Sequence, residues 1–150
     1  MTNFAENGRM ELSINKILKN DLDLVVPLIM ELSEYQTEES LLRSRMGEMF
    51  NQNYECFAIY INEEVIGTFG LWFMTRHYAG KSCEADHVFI KPEYQNRGFG
   101  KEIFEYIFEY AKGKGCEMQE LNSYVQNFKS HKFYMNLGYV IKGYHFLKKL

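Results

Sequence analysis

The sequence has 150 residues, of which 46% are hydrophobic and 25% charged, a size and composition typical of one soluble globular domain over residues 1–150. A formal net charge of −3 offers no broad cationic surface, so nucleic acid is not an expected partner. Three widely spaced cysteines form no zinc-binding pattern, so we expect no metal and a reducing cytoplasm. Residues 1–13 lack the apolar run of a signal peptide, and the longest uncharged apolar stretch is too short for a membrane helix, so no membrane partner is expected.

The first third of the sequence predicts a strand and two helices. Residues 12–18 alternate apolar and polar side chains as a half-buried strand does. Residues 21–35 have an apolar face, but Pro27 lies within this run, so the helix must start late or be kinked. Residues 38–51 place large apolar side chains along one stripe, which predicts the second helix.

In the remaining sequence the spacing of apolar residues changes several times between the patterns of a strand and of a helix. Residues 55–61 and 64–75 are rich in β-branched and aromatic side chains, and the two residues between them are typical of a hairpin turn. Further elements are predicted as a strand over 82–91, a helix over 99–112, a strand over 117–125, a short helix over 127–137 and a closing strand over 139–147.

A glycine-containing loop, Gln95 to Gly100, joins a predicted strand to the helix over 99–112. Unpaired N–H groups and the positive end of the helix dipole would converge there, which favours the binding of an anion. Glycine at 98 and 100 would let a phosphate approach the backbone, and Arg97 or Lys101 would add positive charge. The P-loop and dinucleotide-binding motifs do not occur. For the glycines alone, a plain turn before a helix is the alternative explanation.

The loop resembles the motif Q/R-x-x-G-x-G/A of the GNAT superfamily of acetyl-CoA-dependent N-acetyltransferases through Gln95, Gly98 and Gly100. Residues 127–139 resemble the family's second motif, N-x-x-A-x-x-x-Y-x-x-x-G-F/Y, with serine in place of the alanine. The likeness covers about residues 12–147. It implies an α+β fold with a central, mostly antiparallel twisted sheet of about six to seven strands flanked by about four helices.

The resemblance implies that acetyl-coenzyme A binds as co-substrate in two places. Its pyrophosphate would lie on the backbone of the loop, at Gln95, Asn96, Arg97, Gly98, Phe99, Gly100 and Lys101. Its pantetheine arm would pair with the main chain of the preceding strand at Val88, Phe89 and Ile90, and Asn127 would bind this arm or cap its own helix. A backbone N–H near Val88 would stabilise the oxyanion of the tetrahedral intermediate.

Two carboxylates on the strand over 82–91 are candidates for a general base. An alkyl ammonium has a pKa of about 10 and must lose a proton before it attacks a thioester. Strand alternation predicts that Glu84 and Asp86 share one face with Val88 and Ile90. The resemblance is compatible with a base at either carboxylate, so the choice stays open, and solvated charges or amine-binding anions are the alternative roles.

Tyr134 occupies the position at which the resembled family commonly supplies a general acid to the departing thiolate. Cys83 is expected on the opposite face of its strand from Glu84, and no Ser/His/Asp or Cys/His set emerges. The expected reaction is therefore direct transfer to the amine, without an acyl-enzyme.

The acceptor is the least defined part of the expected function. A small-molecule amine is favoured, with Glu31, Glu34 and the two strand carboxylates as attractors of a cation. A lysine or N-terminus of a protein is the near alternative, and a non-catalytic acyl-CoA-binding module is the alternative from another class. A homodimer is compatible with the exposed edges expected for the later strands.

Overall fold

The computed structural model describes residues 10–150, so most of the stretch considered above for a signal peptide lies outside the described residues. In chain order the elements are β1 (Leu12–Ile17), a 3-10 helix (Lys19–Leu24), α1 (Val26–Leu32), α2 (Glu39–Met49), β2 (Tyr54–Ile61), β3 (Glu64–Arg76), β4 (Gly80–Ile90), a second 3-10 helix (Pro92–Tyr94), α3 (Phe99–Gly113), β5 (Met118–Leu121) and α4 (Phe128–Asn136).

The strands form one mixed sheet in the order β1-β2-β3-β4-β5. Neighbours from β1 to β4 pair antiparallel, and β5 pairs parallel to β4 after the chain crosses over through α3. The expected mostly antiparallel α+β fold is therefore confirmed, as are four α-helices among residues 10–150.

Local sequence explains most element boundaries. Pro27 lies in the first turn of α1, where its missing N–H leaves no hydrogen bond unmade, so the helix starts late as predicted. The predicted hairpin turn is present between β2 and β3, and Asn62 adopts a left-handed φ of 54° there.

Apolar side chains cover both faces of the sheet. On one face α3 buries Ile103, Phe104 and Ile107 against a layer that includes Phe57 and Phe69, whose rings stack with centroids 4.7 Å apart. On the other face α1 and α2 cover a second layer of apolar residues, Ile17, Val25, Val26, Ile29, Met46, Tyr54, Cys56 and Ala58. Among the described residues no helix combines the length and apolar character needed to cross a membrane.

The predicted strand count is wrong. Residues 10–150 contain five strands rather than six to seven, β5 is shorter than predicted, and residues 139–147 have no regular secondary structure. Side chains such as Tyr144 and Phe146 in that segment are exposed, at 78% and 89%. The apolar pattern of a strand is present, but a strand also needs a neighbour to bond its backbone groups, and this segment pairs with none within the described chain.

Candidate active site

The glycine-containing loop has a backbone suited to an anion. Asn96 and Gly98 both have left-handed φ angles, of 59° and 86°, and Gly98 caps α3 without a side chain. The side-chain amide of Gln95 donates to the backbone carbonyl of Ile90 over 2.8 Å and links the loop to the end of β4. A Cβ added at Gly98 would meet no described atom within 4 Å, so this glycine is required by its φ, and the space above it is open.

Two exposed cations flank this loop. The guanidinium of Arg97 lies 5.6 Å from the ring centroid of Tyr94, and the ammonium of Lys101 lies 3.8 Å from a carboxylate oxygen of Glu105. Phe99 is buried and fixes the first turn of α3 in the core. The loop therefore combines the N-terminus of α3, where N–H groups have no partner within the helix, with positive charge at its rim.

Gly100 has a packing role that the sequence did not indicate. A Cβ at this position would come within 3.1 Å of Cζ of Phe133 on α4. The ring of Phe133 also makes an edge contact with Phe104 of α3, with centroids 5.7 Å apart. The second glycine of the loop thus lets α4 approach α3 closely.

The main chain at the end of β4 is free on one side. β5 pairs with Ser82 to Ala85 only, and within the described residues 86–90 have no strand partner on that edge. Val88, Phe89 and Ile90 lie in this unpaired stretch, directly before the glycine-containing loop. An extended ligand could therefore add to β4 as another strand would.

A β-bulge interrupts β4 at His87. Thr68 pairs with Phe89 and Gly70 with Asp86, so Phe69 of β3 faces two residues of β4, His87 and Val88. His87 adopts a left-handed φ of 37°, which is uncommon for a residue other than glycine.

The bulge overturns the predicted arrangement of faces. Val88 and Ile90 pack in the core layer beneath α3, on the same side as Cys83. Asp86 lies on the other side, where it bonds to Trp72 at the edge of the α1–α2 layer. The expectation that Glu84, Asp86, Val88 and Ile90 share a face is wrong, because one extra residue reverses the alternation. Cys83 does lie opposite Glu84, as predicted.

The side chain of His87 is fixed by a tyrosine from β2. Its Nε2 lies 2.5 Å from the hydroxyl of Tyr54, while its buried Nδ1 has no hydrogen-bond partner among the described residues. Burial lowers the pKa of His87, opposed by the charge of Asp86, and burial raises the pKa of Tyr54, so both side chains are uncharged near neutrality. Gly70 provides the room for this contact, because a Cβ there would collide with Nε2 of His87 and with the ring of Tyr54.

Glu84 is held in a charged network. Its Oε2 accepts from Nη2 of Arg76 at 3.2 Å, and its Oε1 accepts from the amide of Asn122 at 2.8 Å. The same guanidinium donates to Glu120, the residue opposite Glu84 on β5, at 3.2 Å. Protonation of Glu84 would therefore weaken an ion pair.

Asp86 has neutral donors and an exposed position. Its Oδ2 accepts from the indole N–H of Trp72 at 3.0 Å, and its Oδ1 accepts from the backbone N–H of His87 at 2.8 Å. These bonds orient the carboxylate at the bulge, immediately before the unpaired edge of β4. The two carboxylates thus differ in environment, which the sequence did not reveal.

Tyr134 lies on α4 in a cluster of aromatic rings. Its ring centroid is 5.6 Å from that of Phe104 and 5.8 Å from that of Tyr139. Burial raises the pKa of Tyr134, so the hydroxyl stays protonated at neutral pH and is able to donate a proton.

Asn127 caps α4. Its Oδ1 accepts from the backbone N–H of Ser130 at 3.3 Å, so the capping role considered for this residue is present. No group of three or more potential metal ligands occurs among the residues that the structure describes.

Sequence reasoning did not identify Tyr54, Trp72, Arg76 or His87 as parts of this region. His87 lies in a strand-like run, and nothing in that run signals a bulge. The other three come from β2 and β3, and only the strand register brings them to the site.

Comparison with known proteins identifies the family. Residues 23–139 match the model of the acetyltransferase (GNAT) family. The chain belongs to the GNAT family. It is an acetyl-CoA-dependent N-acetyltransferase, as the loop and the second motif predicted.

Two curated relatives are similar over most of their length. Thialysine N-epsilon-acetyltransferase of Sus scrofa is 26% identical over 141 residues, covering 83% of this chain and 82% of the relative. Aminoalkylphosphonate N-acetyltransferase of Salmonella typhimurium is 25% identical over 132 residues, covering 87% of this chain and 86% of the relative.

Solved structures share the fold. A GNAT family acetyltransferase of Staphylococcus aureus superposes with a TM-score of 0.74 at 23% identity, covering 94% of this chain and 100% of that one. An aminoglycoside acetyltransferase from an uncultured soil metagenomic sample, in complex with sisomicin, gives a TM-score of 0.76 at 16% identity, with 93% and 96% covered. At these identities the likeness establishes the fold alone.

Proposed function

We propose that this acetyltransferase moves the acetyl group of acetyl-coenzyme A directly to the primary amine of a small molecule, and that residues 1–150 form a single domain for this purpose. The observation that carries the proposal is the unpaired edge of β4, which lies between the oriented carboxylate of Asp86 and the glycine-containing loop. One sheet with a core layer on each face supports the single domain.

The acetyl donor would bind at two places on the chain. The N–H groups of residues 96–101 would bind the pyrophosphate, with Arg97 and Lys101 adding charge. The N–H of Gln95 already donates to the carbonyl of Pro92 over 3.2 Å. The pantetheine arm would pair with the main chain at Val88, Phe89 and Ile90, and Asn127 at the start of α4 would bind this arm. The open space at Gly98 supports the placement of the pyrophosphate on this loop.

Asp86 is the better candidate for the base. Glu84 would have to give up its ion pair with Arg76 on accepting a proton, whereas Asp86 has only neutral donors and an exposed carboxylate. Asp86 would take one proton from the ammonium group of the acceptor, and the free amine would attack the thioester carbonyl. Glu84 would then hold Arg76 and Asn122 at the end of β5.

Tyr134 would complete the transfer. As the C–N bond forms and the C–S bond breaks, its hydroxyl would donate a proton to the departing sulfur, and the second proton of the amine would pass to solvent. Cys83 supports transfer without an acyl-enzyme, because it is fully buried and burial raises its pKa to about 12, which keeps it a neutral thiol.

The acceptor would enter from the α1–α2 side of the sheet. Both relatives with a named substrate act on small molecules that carry an alkyl amine, thialysine and aminoalkylphosphonate. In the loop after α1, Glu34 and Tyr35 both adopt left-handed φ angles, of 52° and 57°, and such strained pairs are frequent at functional sites. The exposed carboxylates of Glu31 and Glu34 would attract a cationic amine.

The first test is the acceptor. Thiol release from acetyl-coenzyme A should be measured with thialysine, aminoalkylphosphonates, polyamines, aminoglycosides and peptides. We expect turnover with at least one small amine and none with peptides. Thiol release with peptides alone would indicate that the enzyme acetylates proteins instead. Tight binding of acetyl-coenzyme A without thiol release for any acceptor would favour a binding module.

Gly98→Asp tests the anion site. The new carboxylate would lie where a pyrophosphate binds, so we expect the affinity for acetyl-coenzyme A, measured by calorimetry, to fall at least about tenfold, or about 1.4 kcal/mol. Gly115→Asp is the matched control, because Gly115 also has a left-handed φ, of 80°, and open space around it, at the other end of α3. Equal losses in the two variants would attribute the effect to backbone strain.

Asp86→Asn and Glu84→Gln distinguish the two carboxylates. We expect kcat/KM of Asp86→Asn to fall by about 10²–10⁴-fold at pH 7, the usual contribution of a general base, and less than about tenfold for Glu84→Gln. The deficit of Asp86→Asn should shrink as pH approaches the amine pKa of about 10, because the acceptor then loses its proton unaided. The opposite ranking would make Glu84 the base.

Tyr134→Phe tests the acid. Removal of the hydroxyl should lower kcat by about 10²-fold or more while the affinity for acetyl-coenzyme A is retained. In the wild type the raised pKa of Tyr134 should keep kcat from falling on the alkaline side until the pH exceeds the ordinary tyrosine value of about 10. Tyr124→Phe, at an exposed tyrosine just before α4, is the control. An unchanged kcat in Tyr134→Phe would remove the residue from the acid role.

A further inference from the structure

The chain has a single tryptophan, Trp72, and it lies at the candidate active site. On β3 it is paired with Glu84 of β4, and cross-strand partners project to the same face of a sheet with Cβ atoms about 4.5–5.5 Å apart. Its indole N–H also reaches Asp86, to which it donates over 3.0 Å. The indole therefore adjoins both carboxylates, on the face of the sheet from which the acceptor would enter.

Neighbouring aromatic side chains hold the indole in place. The ring centroid of Tyr54 lies 4.9 Å from that of Trp72, and Phe50 makes an edge contact with Tyr54 at 5.6 Å. Tyr54 is itself buried and bonded to His87. Trp72 is only half-buried, because it packs at the margin of the α1–α2 layer. The site thus contains a fixed aromatic surface that is partly accessible, and the proposed transfer uses only its N–H.

The charge around this surface is negative. Asp86 accepts from neutral donors, whereas the guanidinium of Arg76 is shared between Glu84 and Glu120, each at 3.2 Å. Three carboxylates and one guanidinium give this group of side chains a formal charge of −2. The face of an aromatic ring also has a negative potential, and among the aromatic side chains tryptophan binds cations best. Both features attract a cation, and a ring without lone-pair ligands suits an organic ammonium better than a metal ion.

We propose that the face of Trp72 binds the amino group of the acceptor in its positively charged form, next to Asp86, and so selects organic cations over neutral molecules of the same shape. The inference rests on the proposed function, because it takes Asp86 as the base and a small amine as the acceptor. Trp72 then has two roles: its N–H orients the base, and its ring binds the group that the base deprotonates.

The ring acts at two stages of the transfer. The acceptor arrives as an ammonium, and Asp86 takes one of its protons. The free amine attacks the thioester carbonyl and forms the C–N bond, so the nitrogen of the tetrahedral intermediate is positively charged until its second proton passes to solvent. Collapse of the intermediate breaks the C–S bond, and the sulfur takes the proton of Tyr134. A ring that binds the ammonium therefore also stabilises the positive charge that develops on nitrogen during the attack.

The fluorescence of Trp72 reports binding directly, because the chain has no other tryptophan. The full chain, saturated with coenzyme A so that no acetyl group is available, should be titrated at pH 7 with 1-butylammonium and with neutral 1-butanol. We expect a saturable change in tryptophan emission with 1-butylammonium and an affinity at least about tenfold lower for 1-butanol. No saturable change, or equal affinities for the two probes, would overturn the inference.

Two substitutions separate the ring from its N–H. Trp72→Phe and Trp72→Leu both remove the bond to Asp86, but only Trp72→Phe keeps an aromatic face. The affinity for 1-butylammonium, measured by NMR titration with coenzyme A present, should be at least about threefold lower for Trp72→Leu than for Trp72→Phe. Equal affinities in the two variants, each with the circular dichroism spectrum of the wild type, would contradict the role of the ring.

These measurements are independent of acetyl transfer. Binding of 1-butylammonium at Trp72 without acetylation of any small amine would refute the proposed function but support the cation site. Acetylation of small amines together with a wild-type emission that does not respond to 1-butylammonium would refute the cation site alone.

Discussion

One extra residue in β4 organises the site. Because Phe69 faces both His87 and Val88, the alternation of side chains along β4 changes phase at the bulge, so Asp86 before the bulge and Val88 after it point to opposite faces of the sheet. The carboxylate of Asp86 is thereby directed to the α1–α2 side, while Val88 and Ile90 anchor the same strand in the core beneath α3. In the proposed mechanism the acceptor would then approach β4 from the α1–α2 face, and the donor would pair with the free edge of the same strand.

Distant residues maintain this local irregularity. A left-handed φ at His87 costs free energy, which the bond from its ring to Tyr54 and the bond from its N–H to Asp86 offset. Gly70 is part of the same arrangement, because any larger residue there would collide with both rings. The uncharged state of the buried His87–Tyr54 pair keeps it compatible with the apolar layer beneath α1 and α2.

The two glycines of the loop have different structural roles. Gly98 supplies the left-handed turn and the open space for an anion, and Gly100 allows close packing of α4 through Phe133. The helix that bears Tyr134 is therefore positioned by the same short loop that would bind the donor. This link connects the two sequence motifs of the family through a physical contact.

The sequence by itself determined the family, the order of the elements as far as α4, the glycine-containing loop and the tyrosine of the second motif. These depend on residue type and on spacing along the chain, which periodicity and motif reveal directly. Only the tertiary structure decided which faces the strand residues occupy, how the environments of Glu84 and Asp86 differ, and that residues 139–147 form no strand. Each of these depends on a partner far along the chain: Tyr54 lies 33 residues from His87, Asn122 lies 38 residues from Glu84, and a strand exists only where another strand bonds its backbone.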